Sequence, residues 1–167
     1  MNKINVIAVI IFFFFIGIVT NGHLAGEGAV SAPSFSLTDI QGNTLTLNNL
    51  KGKVIFLNFW ATWCPPCRQE IPGFIDIYEK YKDQGMVIIG VSLDRTGEGV
   101  VKKFVQENNI TYPIAMATSA LVDSYQPGRF IPTTIFIGHE GNIQGKHVGY
   151  LDKETLEKHF LELKEKD

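Results

Sequence analysis

Cysteine is scarce in this chain, with two among 167 residues. Two thiols cannot build a disulfide-dense scaffold, and they fall short of a four-cysteine zinc site. An excess of charge is also missing. Lys and Arg number 15 against 17 Asp and Glu, for a net charge of −2. That leaves no cationic surplus to grip a phosphate backbone, so nucleic acid is set aside as a partner. There is no internal repeat, no low-complexity tract, no phosphate-cradling glycine loop and no catalytic Ser/His/Asp set. Hydrophobic residues at 45% and charged residues at 19% exclude a disordered chain. The length suits one domain, since domains commonly run to about 100–150 residues, and a monomer is expected.

What is present begins at the amino terminus. Residues 4–19 are apolar except for Asn5 and Gly17, four phenylalanines stand in a row at 12–15, and Lys3 lies in front. This reads as a signal peptide or signal anchor over residues 1–22. The run is longer than a signal core of about 7–15 residues and shorter than a spanning helix of about 17–25. Val30-Ser31-Ala32 has the small side chains of a cleavage site, but Pro33 follows it directly. An uncleaved membrane anchor is therefore the expectation, with release to the periplasm if the leader is cut. Either way the globular part faces an oxidising, extracytoplasmic compartment. Residues 23–33, rich in Gly and Ala, read as a linker, and the domain is expected over 34–167.

Within the domain, residues 35–38 and 44–47 alternate apolar and polar around a turn, which predicts a hairpin. Residues 53–60 and 86–93 are nearly unbroken apolar runs, as in strands buried on both faces. Residues 65–82 predict a helix interrupted by Pro72, whose missing N–H breaks the hydrogen-bond ladder. Further helices are expected at 99–108, 119–125 and 152–166. Strands are expected at 112–116, 133–137 and 143–148. The order predicts one α/β domain with a mixed central sheet and helices on both faces.

Both cysteines fall in Trp63-Cys64-Pro65-Pro66-Cys67, where a buried strand gives way to a helix. Pro65 suits the first helical position, which needs no N–H. The positive end of a helix favours thiolate over thiol and lowers a cysteine pKa from about 8.5 into the range of about 3.5–7.5. A thiol one turn further on is placed to resolve the mixed disulfide that the first one forms. Neither Pro65 nor Pro66 has an N–H, so the first donor available to the Cys64 sulfur is the Cys67 amide. Modest thiolate stabilisation follows, which suits a reducing pair.

The stretch from Phe56-Leu57-Asn58-Phe59-Trp60 through Cys64-Pro65-Pro66-Cys67-Arg68-Gln69-Glu70-Ile71-Pro72 resembles the thioredoxin superfamily. Within it, the TlpA/ResA-like branch of anchored thiol–disulfide oxidoreductases is most similar. Ile131-Pro132-Thr133-Thr134 is a second match, ahead of a hairpin. The resemblance implies a thioredoxin fold with an N-terminal β-hairpin and a helical insertion around Phe104 and Val105. It implies that Cys64 is the exposed nucleophile and Cys67 the resolving thiol. Pro132 would be a cis-proline facing the pair, with the Ile131 backbone touching substrate. Glu70 would tune or deprotonate Cys67. Asn58 stands where ordinary thioredoxins place a buried aspartate, so that acid–base role is absent or moved to Glu70. Trp60 and Trp63 would pack around the site. Residues 125–130 depart from the family pattern. No cofactor is implied beyond the Cys64–Cys67 disulfide. The implied substrates are disulfides in exported proteins, led by apocytochrome c, with a membrane thiol transporter as electron donor.

Two other functions are compatible with the same fold. A peroxiredoxin-like enzyme would use Thr62 and Arg68 around its cysteine. A copper-handling protein would bind a soft metal through Cys64, Cys67 and a histidine, of which His147 is the candidate.

Overall fold

The computed structural model describes residues 30–166. The expected leader, and most of the expected linker, lie outside the described residues. No helix among those described is long and apolar enough to cross a membrane.

Two short strands, β1 (Ser36–Thr38) and β2 (Thr44–Thr46), form the predicted hairpin. Asp39 shapes its turn by accepting the Gln41 and Asn43 amides at 2.9 and 2.8 Å. Such side-chain acceptance stands in for a backbone turn bond. The central sheet has five strands in the order β5-β4-β3-β6-β7. Its members are β3 (Val54–Trp60), β4 (Met86–Ser92), β5 (Ile114–Met116), β6 (Thr133–Ile137) and β7 (Ile143–Val148). β3, β4 and β5 run parallel, while β6 and β7 are antiparallel to their neighbours. The sheet is therefore mixed, as expected.

Side chains on β3 alternate between two cores. Phe56 and Trp60 face one side with α1 (Pro65–Tyr81), α2 (Glu98–Glu107) and α4 (Lys153–Lys164). Ile55, Leu57 and Phe59 face the hairpin and α3 (Ser119–Tyr125). The period of two puts Asn58 on the α1 side, deep in the apolar layer.

The helix at Pro72 and the start of the domain differ from expectation. The α1 helix continues through Pro72 without interruption. Ile71, Phe74 and Ile77 bury one stripe of it against the sheet, and that packing outweighs one lost backbone bond. The packed domain also starts before Ser34. The Val30 carbonyl accepts the Ile143 amide at 2.8 Å, and the Ala32 amide donates to Gly141 at 2.9 Å. These bonds fix the end of the expected linker to the β6–β7 turn.

Candidate functional site

The redox pair is built by the junction of β3 and α1. After Trp60 the chain turns through Ala61, Thr62 and Trp63, and the Cys64 amide donates back to Ala61 at 3.1 Å. Asp94, just beyond β4, anchors this turn. Its carboxylate accepts the Thr62 amide at 2.9 Å, the Thr62 hydroxyl at 2.6 Å and the Ser92 hydroxyl at 2.8 Å. Cys64 is the N-cap of α1, and Pro65 and Pro66 follow as the first helical residues.

Cys64 and Cys67 form a disulfide with their Cα atoms 5.3 Å apart. The Cys67 amide donates to the Cys64 sulfur at 3.3 Å. An N-cap side chain normally accepts from the second or third helical N–H. Pro66 removes the second, so this one donor remains. Cys64 is less open than the family pattern implies, at 3% exposed against 0% for Cys67. The loop before β6 covers it. There the Ile131–Pro132 peptide is cis, and the Ile131 carbonyl oxygen lies 3.7 Å from the Cys64 sulfur. Thr133 fastens this loop by donating to the Phe130 carbonyl at 2.8 Å, and the Gly149 amide donates to the Pro132 carbonyl at 2.8 Å.

Beneath the pair lies a buried polar group. Glu70, one turn after Cys67, is 3% exposed. Its carboxyl accepts the Asn58 amide at 2.9 Å and the Leu151 backbone amide at 3.2 Å. Asn58 also donates to the Thr134 hydroxyl at 3.0 Å. Burial pushes the Glu70 pKa up to about 8, and the two accepted hydrogen bonds oppose that rise without cancelling it. Desolvation disfavours the charged form of a carboxyl, which is the direction seen. Tyr112 is near enough to feel Glu70: burial first, then the Glu70 charge, raises its phenol pKa. A carboxyl titrating close to neutrality is suited to exchange a proton with a neighbouring thiol.

The structure thus brings Cys64, Cys67, Glu70, Asn58, Ile131 and Pro132 together, with Pro65 and Pro66 limiting the donors. The two tryptophans part company. Trp60 is 2% exposed and packs on Phe104 at 5.5 Å. Trp63 is 66% exposed, so it stands out from the site instead of packing around it. The turn that presents Cys64 points the preceding side chain away from the core. Asp94, Ser92, Thr134 and the Leu151 amide were not anticipated. A Ser-Leu-Asp ending on an otherwise apolar strand run was the available hint for the first two.

The residues of the two alternatives are engaged elsewhere. The Thr62 hydroxyl is held by Asp94, and the Arg68 guanidinium lies 5.6 Å from the centre of the Phe104 ring. The His147 Nε2 is 3.1 Å from the Tyr150 carbonyl oxygen. Among the described residues, no group of three or more His, Cys, Asp or Glu side chains is placed to hold a metal.

A vicinal cysteine pair capping a helix that leaves the central strand, opposite a cis-proline, defines a thioredoxin-fold thiol–disulfide oxidoreductase. The comparisons agree and narrow the class. The family profile described as AhpC/TSA matches residues 29–146, and the chain belongs to that family, in its TlpA/ResA-like thioredoxin branch. It is 40% identical over 127 residues to the thiol-disulfide oxidoreductase ResA of Bacillus cereus, covering 75% of this chain and 72% of that one. It is 41% identical over 132 residues to the protein of the same name from Oceanobacillus iheyensis, covering 76% and 68%. A thiol:disulfide interchange protein from Chlorobium tepidum superposes with a TM-score of 0.76 at 31% identity, covering 81% of this chain and 97% of that one. StoA from Bacillus subtilis gives 0.67 at 30% identity, covering 78% and 97%.

Proposed function

We propose that this oxidoreductase works as a reductant of disulfides in exported proteins, with the haem-binding cysteines of apocytochrome c as the leading substrate class. It acts on the extracytoplasmic side of the membrane, anchored by its amino-terminal segment, and a membrane thiol transporter restores its dithiol. The observation that carries the direction is the single helix amide, that of Cys67, on the Cys64 sulfur. A thiolate with few donors is only modestly stabilised, so the pair gives up electrons readily. The apolar run at residues 4–19 behind Lys3 supports the location.

In the reaction, the Cys64 thiolate attacks one sulfur of the substrate disulfide. A mixed disulfide forms and the first substrate thiolate leaves. In the molecules in which Glu70 is ionised, a fraction that grows as pH approaches 8, Cys67 passes its proton to the Glu70 carboxylate and attacks the Cys64 sulfur. The Cys64–Cys67 bond forms, the second substrate thiolate leaves, and the substrate has gained two electrons. Both released thiolates take protons from water or Glu70.

Two measurements test this. A reduction potential near that of thioredoxin, about −270 mV, is expected, and one near about −120 mV contradicts it. Cys67→Ala in intact cells should stall the mixed disulfide and retain a partner containing paired cysteines. Recovery of no disulfide-linked partner argues against the reading.

A further inference from the structure

Beside the redox pair lies a groove of about 340 Å3 between the start of α1 and the outer face of α2. Trp63, Arg68, Val100, Lys103 and Phe104 line it. It borders the turn that carries the redox pair: Thr62 and Trp63 line it and Trp63 immediately precedes Cys64, while neither cysteine is part of its wall. Its floor is apolar: Trp63 and Val100 are 66% and 45% exposed, and Phe104 lies on the buried Trp60. Its rim carries two cations, Arg68 and Lys103, and one carboxylate, Glu107. The Arg68 guanidinium rests over the Phe104 ring, 5.6 Å from its centre, and no carboxylate pairs with it among the described residues. Lys103 is partly occupied by Glu107, 3.8 Å away across open solvent.

A guanidinium held over an aromatic ring by its charge can still offer its N–H groups to a planar carboxylate. Exposed apolar area beside a reactive centre commonly marks a contact surface. The Ile131 carbonyl oxygen lies 3.7 Å from the Cys64 sulfur, and the preceding Phe130 is exposed. A chain bound at Cys64 therefore has exposed aromatic surface available from Phe130 as well as from Trp63.

We propose that this groove is a specificity subsite for the substrate polypeptide. It takes an apolar side chain on Trp63 and Phe104 and an adjacent Asp or Glu carboxylate on Arg68. The partner is thus a cysteine-bearing segment with an acidic residue close to the cysteine. This rests on the reductase reading above.

The test uses the pre-reduced full-length protein. Its substrates are peptides whose single cysteine is capped with 2-mercaptoethanol as a mixed disulfide. The peptides differ only in carrying Asp, Asn or Lys next to a leucine that flanks the cysteine, on either side in turn. Each turnover converts the protein dithiol to its disulfide and releases peptide thiol and mercaptoethanol. From one flank, the Asp peptide should react about two- to fivefold faster than the Lys peptide at low salt, the range for one exposed ion pair. That ratio should fall to about one in Arg68→Ala and invert in Arg68→Glu, while added salt compresses it. Because the ratio is taken within each variant, a general change in Cys64 reactivity cancels. Lys102→Glu changes the same net charge at a residue that pairs with Glu98 and does not line the groove, and it should keep the wild-type ratio. Equal rates for all peptides in the wild type, or an unaltered ratio in Arg68→Glu, overturn the subsite and leave the reductase reading standing. If the wild type reduces none of the peptides, the reductase reading fails and the subsite falls with it.

Discussion

The Asn58 side-chain amide donates to the Glu70 carboxyl at 2.9 Å, inside the apolar layer between β3 and α1. Both residues are almost completely buried, and Glu70 follows Cys67 by one turn in the helix that carries the redox centre. A neutral amide solvates the carboxyl only partly. The acid is therefore left poised close to neutral pH, where an aspartate at position 58 would instead make a pair of competing carboxyls.

Glu70 should make folding stability depend on pH with an unusual sign. Its pKa is about 8 in the folded protein against 4.5 for an ordinary glutamate. Between these values the folded state keeps a proton that the unfolded chain has released. Stability from this group is therefore full below about pH 4.5 and falls as pH rises through 8. The loss amounts to a few kcal/mol across that window. Glu70→Gln should flatten the profile. Denaturant melts of both proteins at pH 5, 7 and 9 check this, and a wild-type stability that rises toward pH 9 contradicts it.

Asn58→Asp should show the same effect more steeply. It sets two carboxyls about 3 Å apart, and like charges at that range cannot both ionise. Both carboxyls are protonated at low pH, the pair shares one proton at intermediate pH, and the charge repulsion is met when that last proton is lost. The variant should match the wild type near pH 4 and lose about 2 kcal/mol or more by pH 8. The comparison of midpoints at the two pH values is the measurement. Equal losses at both would mean a packing defect and no charge coupling.

The parts that were legible in the sequence are those with local signals. The strands at Thr133–Ile137 and Ile143–Val148 and the helix at Ser119–Tyr125 match their predicted limits, because turn residues bound each one. The cysteine pair stood out because Trp63 to Cys67 is contiguous. β5 begins at Ile114 and not at Tyr112, since Tyr112 leaves the sheet edge to pack on Phe74 and Tyr78. What could not be read are contacts between distant segments. Asp94 reaches Thr62 across 32 residues, and Leu151 reaches Glu70 across 81 with a backbone amide that no side-chain pattern betrays. The exposure of Trp63 is likewise a property of the turn that Asp94 holds, which only the assembled fold displays.

Asp94→Ala should both destabilise the protein and slow it. The Thr62 amide and two hydroxyls would lose their acceptor, and an unsatisfied buried donor costs about 1–3 kcal/mol. A total loss of about 2–4 kcal/mol is expected in urea, with Asp94→Asn losing less because one acceptor oxygen remains. The Cys64 alkylation rate of the reduced protein, measured under conditions where all variants are folded, should change in the same order. If stability falls while that rate and its pH profile stay at wild-type values, Asp94 supports the fold without positioning the nucleophile.

Pro66→Ala addresses the direction of the redox reaction. Pro66 occupies the second helical position, one of the two whose amides ordinarily serve an N-cap side chain, and the structure leaves Cys64 with the Cys67 amide alone. Alanine is a good helix former and restores an N–H at that position without changing the charge. A second donor stabilises the Cys64 thiolate, so its pKa should fall, by about half a unit to one unit. The thiolate exists only in the reduced form. Stabilising it therefore makes the disulfide a better oxidant, and the potential should rise by about 10–30 mV, since about 30 mV is a tenfold change for a two-electron couple. Thiolate absorbance near 240 nm against pH and equilibration with a glutathione buffer give the two quantities independently. An unchanged pKa and potential would mean that the prolines do not set the reducing character of the pair.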